Sequence, residues 1–295
     1  MLGAAGALAL PALPAGTSYA APTASCTASL LAAPAGAPAG AGTRVAKVDD
    51  TGKYVVGQVD VGNFDFRPVL WANGVPQLLD APGEVSDVLD VNSSGTVLGA
   101  SLDKEGTTWL PWVYSNGTYT MLQVPTWTDG VSANDINDAG VVVGATHNDE
   151  GRELGIRWES WDEPGAYVYS RNGNRSYLKE IRGHWTGGDE IYDKPLNTFI
   201  GLLWNDSTGA RYPLPTEPHS INSTGDAAVT NADGAHQVVT ATGTVRWTFP
   251  RSTTIRTLMD RRTDPVGTGP DAIGEITDNG TTYAVAWGGC SDVVG

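Results

Sequence analysis

From Arg44 onward, apolar and polar residues alternate in short runs, and each run stops at a turn rich in Asn, Asp, Ser and Gly. A period of two marks a strand with one face buried, and Asn or Asp before Gly supplies the positive φ that short hairpin loops require. In the first unit, strands over Arg44 to Val48 and Tyr54 to Val59 flank the turn Asp49-Asp50-Thr51-Gly52. Strands over Arg67 to Trp71 and Val75 to Leu79 flank the turn Ala72-Asn73-Gly74. The second unit repeats this with Gly95 to Ala100, Trp109 to Tyr114, Ser115-Asn116-Gly117 and Tyr119 to Leu122.

The first turn of each unit recurs as KVDDTG, DVNSSG, DINDAG, SINSTG and EITDNG. Their glycines, Gly52, Gly95, Gly140, Gly225 and Gly280, stand 43, 45, 85 and 55 residues apart. The interval of 85 predicts one concealed copy, hence six units. Repeats of this length cannot bury their own apolar face and must stack on neighbours, as propeller blades do. The sequence thus predicts an all-β fold, a β-propeller of six four-stranded blades spanning residues 44–295.

The less regular units are assigned as follows. The third begins with GVVVGA at 140–145, and aligning Ser170 to Gly173 with Ser115 to Gly117 leaves extra residues between His147 and Ala166. The fourth is recognised by Thr198 to Trp204, Asn205 to Gly209 and Tyr212 to Leu214. The fifth runs from Ser220 to about Leu258, with Val245 to Trp247 as its third strand. The sixth contains Ala272 to Ile276, the turn Asp278-Asn279-Gly280 and Thr282 to Trp287. Trp71, Trp112, Trp158, Trp204, Trp247 and Trp287 are evenly spaced, yet Trp287 follows its turn glycine far sooner than Trp71 does, which predicts a different strand for it.

The incomplete last unit invites completion from the N-terminus. Ser29 to Pro34 reads like Gln77 to Pro82, the fourth strand of the first unit. A strand exchanged in this way removes an exposed pairing edge. Residues 21–43 are therefore expected to hold the closing strand and a linker. Cys26 and Cys290, the two cysteines of the chain, would flank the closing blade and form a disulfide.

Residues 1–20 resemble an export signal: Leu2 to Leu13 is apolar and small, and Ser18-Tyr19-Ala20 offers a cleavage site. The run is too short to span a bilayer. With 33 acidic against 18 basic residues, the net charge of −15 excludes nucleic acid and anionic lipid as expected partners. The expectation is a secreted, monomeric protein with no cofactor and no metal.

The motif [DS]-[VI]-N-x-x-G followed by a V-V-G-like strand, in DINDAGVVVGA at 135–145 and DVNSSGTVLGA at 90–100, resembles the extracellular HAF-repeat family of bacteria. That resemblance covers most of residues 44–287 and is sharpest in the second and third units. It implies secreted, β-propeller-like proteins and carries over no catalytic residue.

Candidate chemistry is sparse. Asp90-x-Asn92-x-Ser94-Gly95 opens like a calcium loop, but the twelfth positions, Ser101 and Thr146, lack the bidentate Glu, so an Asx-stabilised turn is the preferred reading. The segment after His147 gathers Asp149, Glu150, Glu153, Glu159, Asp162 and Glu163 with Trp158 and Trp161. Glu150, Glu153, Glu159 and Asp162 are candidate acid and base for glycoside cleavage, provided two of them face each other. Trp161 and Trp158 are candidate sugar platforms, and His184 with Trp185, near Asp189 and Glu190, marks a second candidate binding site. There is no GxSxG, HExxH, P-loop or GxGxxG. The leading expectation is a non-enzymatic binding or scaffold module for cell-envelope or extracellular glycan. Two alternatives stand beside it: a glycan-active hydrolase or lyase, and a structural propeller that binds protein.

Overall fold

The computed structural model describes residues 31–38, 41–62, 65–125, 130–147, 151–168, 175–192, 198–249, 253–258, 270–278 and 281–288, with the backbone alone at 192, 198 and from 253 onward. The described chain is all-β. Sheet one contains β1 (Thr43–Val48), β2 (Tyr54–Gly62), β3 (Asp65–Ala72) and β4 (Val75–Leu78). Sheet two contains β5 (Ser86–Val91), β6 (Val97–Leu102), β7 (Trp109–Ser115) and β8 (Thr118–Met121). Sheet three follows with β9 (Val131–Ile136), β10 (Val142–His147), β11 (Glu153–Trp158) and β12 (Ala166–Val168). Sheet four contains β13 (Arg175–Arg182), β14 (Trp185–Tyr192), β15 (Thr198–Asn205) and β16 (Ala210–Pro213). Sheet five contains β17 (Ser220–Ile221), β18 (Asp226–Thr230), β19 (His236–Thr240) and β20 (Val245–Thr248). Sheet six has three strands, β21 (Thr253–Leu258), β22 (Pro270–Asp278) and β23 (Thr281–Gly288). Every pairing is antiparallel and sequential, the arrangement that short hairpins permit.

Neighbouring sheets bury apolar layers between them. Val56, Leu70, Val88, Val91 and Trp112 fill the space between sheets one and two. Leu98, Val113, Ile136, Ile156 and Trp158 fill the next. Val143, Leu178, Ile181 and Trp204 join sheets three and four, and Leu203, Ile221, Val229 and Val239 join four and five. Trp71, Trp112, Trp158 and Trp204 all lie on third strands, where one large ring spans the gap between twisted sheets.

Most first strands carry a bulge at a matching place, between Val45 and Lys47, Val88 and Asp90, and Leu178 and Glu180. The bulge turns one carbonyl toward the second strand, and a Cβ at Gly144 would run into the Ser132 carbonyl oxygen. That is the physical reason for glycine in the recurrent V-V-G segment.

Several sequence assignments need correction. The concealed fourth unit starts at β13, and its first turn is Gly183-His184, two residues where the third unit has Asn137 to Gly140. The residues that looked additional in the third unit are its own third strand, β11. Val245 to Trp247 belongs to the fourth strand of sheet five, because β19 precedes it. In sheet six the Asp278 turn joins the second and third strands, whereas its relatives join the first and second. The inner strand is β21, with its bulge between Ile255 and Thr257. Trp287 therefore lies on a third strand after all, in phase with Trp71 to Trp204, and Trp247 is the exception, on a fourth.

Of the segment expected to close the last blade, Leu31 to Pro34 is described, and it forms no strand. Leu31 packs on Val59, Val69 and Trp71, and the Trp71 indole N–H donates to the Ala32 carbonyl at 2.7 Å. Cys26 and Cys290 lie outside the described residues.

Candidate functional site

The recurrent Asp and Asn residues explain themselves first. In each motif the Asn oxygen accepts from its own turn: Asn92 Oδ1 takes the amides of Ser94 at 3.1 Å and Thr96 at 3.0 Å, and Asn137 Oδ1 takes that of Val141 at 2.9 Å. This is the Asx turn, not a calcium loop. The Asn amide then reaches forward, from Asn92 to the Asn137 carbonyl and from Asn137 to the Gly183 carbonyl, each at 3.0 Å. The Asp two positions earlier also reaches forward. Asp90 accepts from Ile136 N–H at 3.1 Å, and Asp135 accepts from Ile181 N–H at 2.7 Å. Sheets two, three and four are thus clamped in series by buried side-chain hydrogen bonds.

Where the motif changes, the same positions turn toward one another. Lys47, Asp90, Asp135 and Glu180 occupy corresponding places on the first strands of sheets one to four. Lys47 of sheet one stands 3.7 Å from Glu180 of sheet four, so these sheets curve about a common axis. Arg182 replaces the Asn in sheet four. Its guanidinium meets Asp135 at 2.7 Å, Asp90 at 3.4 Å and Asp50 at 3.7 Å. Burial raises the Asp90 carboxyl well above its ordinary range, assisted by the charge of Asp135. Burial works the same way on Asp135, but Arg182 and the hydrogen bond with Asp90 outweigh it and hold that carboxyl below its usual value. Glu180 is pushed up to about 7 by burial, against the pull of Lys47. A cavity of about 240 Å³ above the cluster is lined by Asp50, Asn92, Asn137, Asp138 and Arg182. These lining groups serve a turn, a clamp or an ion pair, while Asp90 Oδ1, Asp135 Oδ1 and Glu180 Oε2 are buried without a hydrogen-bond partner among the described residues, and the cluster reads as the polar axis of the stack.

The candidate residues from the sequence lie apart. Trp158 is 1 % exposed and donates its indole N–H to the Gln123 carbonyl at 2.8 Å, so it presents no ring face to solvent. Trp161 is partly buried and donates to the Gly140 carbonyl at 2.7 Å, lying over that turn. Trp185 covers Gly225 in the same manner and packs on Tyr212. His184 is exposed in the two-residue turn after β13. Glu150 lies outside the described residues. Glu153 begins β11 and Glu159 follows its end, a separation of roughly 20 Å along a strand. Glu159 is exposed and pairs with Arg157 at 2.5 Å, while Asp162 accepts from the Ser160 hydroxyl, which lowers its carboxyl. Glu153 therefore does not face Glu159 as a carboxylate pair. It faces His147 across the β10–β11 hairpin at 3.8 Å.

Two concave surfaces lie at the opposite end of the strands from the Asx turns. A groove of about 770 Å³ between sheets one and two is lined by Gln58, Asp65, Arg67, Glu84, Asp87 and Trp109, among others. A second, of about 710 Å³ between sheets two and three, is lined by Trp109, Ser132, His147, Glu153 and Tyr177, among others. Trp109, at the start of β7, stands between them with 42 % of its surface exposed. Sequence reading missed it because the alternation at Trp109 to Tyr114 looks like any strand. The usable signal was two tryptophans on one strand, Trp109 and Trp112, where a single one fills the core. Among the described residues no group of three or more His, Cys, Asp or Glu is arranged to hold a metal ion.

No family model and no curated protein matches this chain. Solved structures with partial likeness include TolB from Acinetobacter baumannii, at 9% identity over 70% of this chain and 53% of that one, with a TM-score of 0.47. A puromycin-hydrolyzing peptidase of Mycobacterium tuberculosis shares 12% identity over 74% of this chain and 36% of its own, with a TM-score of 0.38. The tricorn protease shares 10% over 83% and 27%, with a TM-score of 0.39. The chain spans about half the length of TolB or less of the others, and at such scores these likenesses carry no argument about its activity.

Proposed function

We propose that this protein is an exported, six-bladed β-propeller of the HAF-repeat type, its ends joined by a Cys26–Cys290 disulfide, that binds extracellular glycan without cleaving it. The observation that carries the binding reading is Trp109, a large ring held open to solvent between two adjoining grooves whose walls bear carboxylates, an amide and an imidazole. Such a pairing of an apolar platform with a few convergent polar groups is the usual composition of a small-ligand site. The export-like residues 1–20 point to an oxidising compartment, where a disulfide between the two cysteines is permitted.

A glycan array probed with the secreted protein tests this. Saturable binding that falls at least about tenfold in Trp109→Ala, with no products released, supports a lectin-like module. Silence across the array would move the weight to a protein-binding scaffold. A hydrolase reading rests on Glu153 beside His147 in the second groove, and product release abolished by Glu153→Gln would replace the binding reading with it. Thiol titration of the denatured protein tests closure: two free thiols would overturn the disulfide.

A further inference from the structure

The two grooves share a charge character that narrows the ligand. In the first, Asp65, Asp80, Glu84 and Asp87 face a single cation, Arg67, which is already tied to Asp65 at 3.2 Å. Asp87 accepts from the Gln58 amide at 3.0 Å, and among the described residues Asp80, Glu84 and Asp87 have no Lys or Arg partner. In the second, Glu153 lies 3.8 Å from the His147 ring, and the Lys179 ammonium, 5.1 Å from the centre of the lining residue Tyr177, is the nearby cation, itself paired with Glu217. Trp109 thus stands between carboxylates on both sides. Other aromatic faces on this protein already carry cations: beside the first groove the Arg44 guanidinium lies 4.6 Å from the centre of the lining residue Phe66, and away from it Lys53 lies 4.4 Å from that of Tyr54. Among the described residues Trp109 has no such partner, and tryptophan is the ring that attracts a cation most strongly. The net charge of −15 adds a long-range field that draws cations and repels anions.

We infer that the ligand of the Trp109 groove is an amine-bearing oligosaccharide, a polymer of unacetylated amino sugar whose ammonium groups lie on the Trp109 ring and against Glu84, Asp87 and Glu153. This rests on the glycan reading above and gives it a charge. Neutral sugars would use the ring and could donate hydroxyls to the carboxylates, but they bring no charge to offset them. Acidic sugars would meet repulsion from both walls.

The test is titration calorimetry of the full secreted protein with three oligomers of equal length: fully deacetylated chitin, N-acetylated chitin and cellulose, each at low and high salt. The deacetylated oligomer is expected to bind at least about tenfold more tightly than the other two, with the advantage shrinking as salt screens the charges. Trp109→Ala and the pair Glu84→Gln with Asp87→Asn should each remove most of that advantage, while Glu159→Gln, remote from the groove, should keep it. Thermal melts establish that each variant folds. Equal or tighter binding of the acetylated or cellulose oligomer would overturn the cationic assignment and leave a glycan module standing. Binding of spermine or a lysine peptide with no oligosaccharide bound would overturn the glycan reading itself.

Discussion

Sheets two and three keep the Asp-x-Asn motif, whereas sheet four replaces it with Glu180 and Arg182, and the two regions use these positions in opposite directions. The regular sheets reach forward to their successor, so each contact repeats at the same spacing along the chain. The irregular sheet gathers three carboxylates from sheets one, two and three onto one guanidinium. A repeat that loses its consensus is easily taken for a decayed copy. Here the departure is where contacts between neighbours give way to contacts across the axis.

The largest effect should come from Arg182→Met. It leaves Asp90 and Asp135 buried without their cation and should cost about 3–5 kcal/mol in urea unfolding. A loss below about 1 kcal/mol would make sheet four no different from its neighbours. Lys47→Met should cost less, about 1–3 kcal/mol, since Lys47 is partly exposed, and a cycle with Glu180→Met should recover most of that loss if the two act as a pair.

Next come the clamps. Asn137→Ala removes both the turn contact and the bond to Gly183 and should cost about 2 kcal/mol. Asn231→Ala is the control, because Asn231 Oδ1 serves only its own turn, through the amides of Asp233 and Ala235. It should cost about 1 kcal/mol or less. Equal losses at the two sites would mean that the forward bond adds nothing.

The pH response is smaller and has a defined sign. Between the ordinary carboxyl range and about 7, folded Glu180 retains a proton that the unfolded chain has released. The native state binds more protons there, so stability should fall as pH rises, and raised Asp90 acts in the same direction. The melting temperature should decline from about pH 5 to about pH 8, and Glu180→Gln should flatten the slope. A rising slope would contradict the account of the cluster. Glu159→Gln, at an exposed pair with Arg157 just past the end of β11, should change stability by about 0.5 kcal/mol or less.

How much of this was legible depended on whether a residue acts locally. The strands and turns of sheets one and two, and the Asx role of Asn92, follow from neighbours within a few residues, so alternation and turn chemistry found them. The fourth unit's signal, Glu180-Ile181, is in phase with Asp135-Ile136, but its turn has shrunk to Gly183-His184 and breaks the pattern that identifies it. The placement of β21 failed for a related reason: Asp278 carries good turn chemistry, and turn chemistry does not say which pair of strands it joins. The axial cluster was invisible because Lys47, Asp90, Asp135 and Arg182 are united only by curvature. The acidic segment after His147 misled in the other direction, since Glu153 and Glu159 are close in sequence and stand at opposite ends of β11.

The forward reach of Asp90 and Asp135 also gives the molecule a direction in time. Each acceptor is synthesised before the N–H it will bind, roughly one unit ahead of it, so a chain emerging from its N-terminus ends at every stage in a sheet whose carboxylate is still waiting. The fourth sheet ends that wait for the first three at once, because Arg182 arrives when Asp50, Asp90 and Asp135 are already made. Arg182 is therefore the first residue in chain order that engages sheets one, two and three together.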